Sequence, residues 1–92
     1  MIRTYERSMG LEGAPLNDEA ILLDPVTSRF FMLNRTSSFI WERLSTPTTA
    51  ESLAGEICKT FDNVALPEAL NDVRATLDEM LSIGLISSKD SG

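Results

Sequence analysis

From Ala20 onward, short apolar runs in the chain are separated by residues that break regular structure. Ala20 to Asp24 reads as a strand, Asp24-Pro25-Val26-Thr27-Ser28 as a turn, and Arg29 to Leu33 as the return strand of a hairpin. Pro25 sets its own backbone angle, and the Asp24 carboxylate is placed to accept from nearby amides. The second run, Phe30 to Leu33, lacks the alternation expected of a strand with one wet face. Upstream, Leu11 to Leu16 reads as a short edge strand, weakened by Gly13 and Pro15. Residues 1–10 show no periodicity and are expected to be flexible.

After Asn34 the apolar spacing changes to that of helices. A first helix is expected from about Arg35 to Leu44, with Asn34 as N-cap and Ile40, Trp41 and Leu44 on one side. Ser45 to Pro47 breaks it. Thr48-Thr49-Ala50-Glu51 fits a capping box with Thr48 as cap, opening a second helix whose stripe is Leu53, Ala54, Ile57, Cys58 and Phe61. Cys58 lies within that stripe and reads as a small core residue. Pro67 suits the first turn of a third helix, with Leu70, Val73, Leu77, Met80 and Leu81 on one face up to Ile83. Gly84 can take the left-handed angles of a helix end. Leu85 and Ile86 return to the core, and 87–92 reads as a flexible polar tail. The expected fold is α+β: a winged-helix-like domain over 11–86, with a short antiparallel sheet of two or three strands followed by three α-helices.

Charge narrows the function. Eight Lys and Arg stand against fourteen Asp and Glu, a formal net charge of -6, and no two basic residues are adjacent. Nucleic acid and anionic membranes are therefore unexpected partners. The chain has no histidine and one cysteine, so triads built on histidine, internal disulfides and cysteine-based zinc sites are excluded. The five glycines form no phosphate-binding pattern. No catalytic role, metal or cofactor is expected. With no signal peptide and no apolar span, the expected location is the cytoplasm.

The run "ILLDPVTSRFFMLNRTSSFIW", Thr49 opening the next helix, Asp72-Val73 in the last helix and "SIGLI" at its end together resemble the PqqD-like family. These are precursor-peptide recognition elements that serve the biosynthesis of ribosomally made, modified peptides. The resemblance spans roughly Glu19 to Ile86. Ser28, Ser37 and Thr46 stand where the family often has glycine. The resemblance implies a non-catalytic chaperone that binds the leader of a precursor peptide. The leader would lie as an added strand along the second hairpin strand, in a cleft closed by the third helix. The partner would be a separately encoded leader peptidase, cyclase or radical enzyme, with lasso-peptide biosynthesis ranked first.

Strand addition accounts for the missing alternation. An edge strand offers unpaired amides and carbonyls, and its two faces then serve the core and the guest. Arg29, Phe31 and Leu33 share one face, with Phe31 and Leu33 expected in the core; Phe30 and Met32 share the other. On the third helix, Ala69, Val73, Thr76 and Met80 form a second stripe, where small residues at 69 and 76 would leave room for a leader side chain. Asp72 would anchor a polar group or cap a turn. Three other readings fit parts of the pattern. The strand could be covered by the N-terminal segment, or two copies could pair edge to edge as a homodimer. The third is a winged-helix transcription regulator. Against the regulator, Glu68, Asp72, Asp78 and Glu79 on the last helix face only Arg74.

Overall fold

The computed structural model describes residues 2–91. In chain order these form β1 (Ile2–Arg7), β2 (Glu12–Leu16), β3 (Glu19–Asp24), β4 (Arg29–Leu33), α1 (Arg35–Arg43), α2 (Ala50–Thr60), α3 (Leu66–Ser82) and β5 (Ile86–Ser91). The α+β expectation holds, with five strands in two antiparallel sheets rather than one sheet of two or three.

The hairpin turn closes as its residues dictate. The Val26 amide donates to Asp24 Oδ1 at 3.0 Å, and the Ser28 amide donates to the Asp24 carbonyl at 2.7 Å. Ser28 takes φ 60°, the left-handed region that favours glycine, so the serine accommodates the turn at some backbone cost. The resulting register pairs Ala20 with Leu33, Leu22 with Phe31 and Asp24 with Arg29. Ala20, Leu22 and Leu33 are buried on the inner face, toward Ile40 and Trp41 of α1. β2 adds to the far side of β3. A Cβ on Gly13 would stand 3.3 Å from Leu22 Cδ2 and 3.4 Å from Trp41 Nε1, so glycine lets β2 lie close over the indole.

Each helix start is set locally. Asn34 Oδ1 accepts from the Ser37 amide at 2.9 Å, as expected of an N-cap. The second cap is Thr49, not Thr48: Thr49 Oγ1 accepts from the Ser52 amide at 3.1 Å. Thr48 is instead held in a two-way backbone pair with Tyr5, which leaves its neighbour to begin the helix. Pro67 sits in the first turn of α3, and Gly84 ends that helix with φ 81°. α2 and α3 pack together through Leu53, Ala54 and Ile57 against Ala69, Val73 and Leu77, all buried. Cys58 is half-buried against this core.

The two ends of the chain depart from expectation. Residues 2–7, expected to be flexible, and 87–91, expected to be a tail, lie in the two strands of one sheet, paired from Ile2 with Ser91 to Arg7 with Ile86. Tyr5 and Ile86 are buried, and Arg3 forms an exposed ion pair with Asp90 at 2.8 Å. Neither segment has an apolar stripe long enough to signal a strand alone; each exists through the hydrogen bonds the other supplies. Met1 and Gly92, the outermost residues of those segments, lie outside the described residues.

Candidate functional site: an open strand edge beside a helix

The three-stranded sheet runs β2-β3-β4, so β4 is paired on one side only. The N-terminal segment pairs with β3 and β5 and does not cover it. β2 is the other edge, but Pro15 removes an amide there, whereas β4 keeps every N–H. β4 is thus the better-formed template for a further strand.

Its side chains divide as the pleat requires. Leu33 is buried and Phe31 half-buried on the inner face, while Phe30 and Met32 are 68% and 65% exposed on the other. Arg29 is exposed, its guanidinium 5.2 Å from the centre of the Phe31 ring. Phe30 and Met32 pair across the sheet with half-buried Leu23 and Ile21, giving one apolar outer face.

Beyond β4 lies a cleft of about 250 Å³ whose other wall is the C-terminal half of α3. Met32 and Leu33 line it from the strand, and Thr76, Glu79 and Met80 from the helix, with Ile83 just past its end. Of the residues singled out from sequence, the cleft brings together Met32, Leu33, Thr76 and Met80. Its lining does not include Arg29, Phe30, Phe31, Ala69, Asp72 or Val73. Ala69 and Val73 are buried at 1% and 0%, because the inward face of α3 is filled by packing against α2. The room expected beside Ala69 is therefore occupied by core. Asp72 is exposed and has no ion-pair partner among the described residues.

Sequence reasoning missed Glu19, Asn34, Ser37, Glu79 and Ile83. Ile83 was accessible to it, since it continues the 69-73-76-80 stripe by three residues. Glu19 was not: only the pairing of β3 with β4 carries it to this place. Among the described residues no three of His, Cys, Asp or Glu gather as a metal site, and no helix is long and apolar enough to cross a membrane.

Fold and cleft together define a small α+β domain with an unpaired strand set beside a helix. Residues 19–86 match the family described as Coenzyme PQQ synthesis protein D (PqqD), and the chain belongs to it. No curated protein gives a match to the sequence. Among solved structures, the chain is similar to TbiB1 in complex with the TbiA(beta) leader peptide. That likeness has 27% identity and a TM-score of 0.79, over 89% of this chain and 94% of that one. A lasso peptide synthetase B1 complexed with a leader peptide shares the fold at 19% identity and TM-score 0.77, over 90% of this chain and 96% of that one.

Proposed function

We propose that this protein is a non-catalytic recognition chaperone for ribosomally made precursor peptides. It takes the leader segment as an added strand on β4 and presents it to a separately encoded processing enzyme. The observation that carries this is the unpaired edge of β4 beside the cleft walled by α3. Membership of the PqqD family supports the reading, as does the likeness to TbiB1, a protein solved with a leader peptide bound.

Main-chain hydrogen bonds to β4 supply affinity with little sequence demand, and pockets for alternate side chains supply selection. In this arrangement Arg29 to Leu33 form the template. Met32, Leu33, Thr76 and Met80 receive one leader side chain, and Asp72 lies farther along the helix for a polar contact. Ala69 and Val73 act from behind, holding α3 at its distance from the strand. The outer sheet face of Ile21, Leu23 and Phe30 stays available to the processing enzyme, a leader peptidase, a cyclase or a radical enzyme. Lasso-peptide biosynthesis is the pathway that this reading favours, in the cytoplasm. A DNA-binding role is disfavoured by the acidic surface of α3.

The test is fluorescence anisotropy of a labelled leader from the precursor gene adjacent to this one, titrated with wild type and Met32→Asp. Saturable binding at about micromolar Kd or tighter, lost in a folded variant, is expected. Binding that persists in Met32→Asp would place the leader elsewhere. A wild-type protein that binds no adjacent leader, and whose mass by light scattering doubles with concentration, would support edge-to-edge pairing instead.

A further inference from the structure

The cleft is lined by apolar and uncharged polar side chains together, and its charged residues are Glu19 and Glu79. Met32, Met80 and Ile83 provide thioether and aliphatic surface, while Glu19 enters from the start of β3 and Glu79 from the last turn of α3. Both glutamates are exposed, and neither has an ion-pair partner among the described residues. No Lys or Arg lines the cleft. The last turn of α3 also lacks a basic residue, so the negative end of the helix dipole adds to the two carboxylates. The two ion pairs among the described residues, Glu56 with Arg43 and Asp90 with Arg3, lie elsewhere.

An occupant that complements this cleft has a positive head on an apolar stem. Arginine and lysine meet that description, because their methylene chains lie along apolar surface while the charge stays at a wet rim. A purely aliphatic or aromatic side chain would fill the walls and leave both carboxylates uncompensated. Resting on the leader-binding reading, we infer that the cleft selects a cationic residue of the leader. Its stem lies between Met32 and Met80, and its head group lies between Glu19 and Glu79. These two glutamates are specificity-determining residues, and the protein's formal charge of -6 steers a leader carrying such a cation toward them.

The experiment uses the labelled adjacent leader as synthesised and with each Lys or Arg replaced singly by Gln. Each peptide is titrated against wild type, Glu19→Gln, Glu79→Gln and the double variant, with melting temperatures checking that the folds match. One leader cation is expected whose replacement weakens binding to wild type but hardly changes binding to the double variant. The loss should be about fivefold per glutamate, the upper range for an exposed pair. Added salt should weaken the wild-type complex more than that of the double variant. The inference is overturned if the leader binds but every such replacement acts equally on wild type and double variant. A bound leader with no Lys or Arg overturns it as well. Failure of the leader to bind wild type at all would instead remove the recognition reading on which it rests.

Discussion

Met32 on β4 and Met80 on α3 line the same cleft, yet Met32 is 65% exposed and Met80 only 3%. One is surface that a guest would cover; the other is core that forms part of the cleft wall. The two methionines should therefore separate binding from stability.

Met80→Ala removes buried contacts and is expected to cost about 2–5 kcal/mol in urea unfolding. Met32→Ala should change stability by no more than about 0.5 kcal/mol, as an exposed substitution does, while weakening leader binding. Equal stability losses in the two variants would contradict the arrangement of the cleft.

The start of α2 offers a sharp comparison between adjacent threonines. Thr49 Oγ1 accepts from the Ser52 amide, whereas Thr48 acts through its backbone pair with Tyr5. Thr49→Ala should destabilise by about 1 kcal/mol, and Thr48→Ala by clearly less. Chemical denaturation of both variants decides it; a larger loss at Thr48 would restore the capping box read from sequence.

Two left-handed positions should respond in opposite directions. Ser28→Gly relieves a side chain at φ 60°, a relief of about 1–2 kcal/mol offset by about 0.4–1 kcal/mol of unfolded-state entropy. A small net stabilisation is expected. Gly84→Ala meets no atom within 4 Å but must hold φ 81°, so it should destabilise by about 1 kcal/mol or more. Thermal melts of the pair are the check, and a stabilising Gly84→Ala would refute the backbone argument.

The terminal sheet carries a pH-dependent contact. Arg3 Nε donates to Asp90 Oδ1 at 2.8 Å and Arg3 Nη2 to Asp90 Oδ2 at 3.3 Å. These hydrogen bonds hold the Asp90 carboxyl below its ordinary value and raise the guanidinium above its own. Because the folded value lies below the unfolded one, the pair favours the paired strands above the ordinary aspartate range of about 3.9. Its contribution disappears as pH falls through the lowered folded value, and salt screens it at all pH, since both groups are exposed. An NMR titration should give Asp90 a midpoint below that of an unfolded peptide, returning toward ordinary in Arg3→Gln. A midpoint at or above the ordinary value in the wild type would remove the ion pair from the solution structure.

Elements whose signals are local follow from the order of residues alone. Asn34, Pro67 and Gly84 mark helix ends through their own backbone chemistry, and the spacing of Leu53, Ile57, Val73 and Leu77 chooses which faces turn inward. The β3-β4 hairpin was legible for the same reason, since Asp24 and Pro25 set the turn and the turn sets the register. Tertiary structure decided what depends on partners distant in sequence. The polar run Ile86–Ser91 becomes a strand only because Ile2–Arg7 supplies its hydrogen bonds. Glu19 reaches the cleft only through the strand pairing. Val73 and Thr76, neighbours on one helix, part company because α2 covers the first and leaves the second beside the cleft. Periodicity shows that a helix has an inward face, but the width of that face depends on the element packed against it.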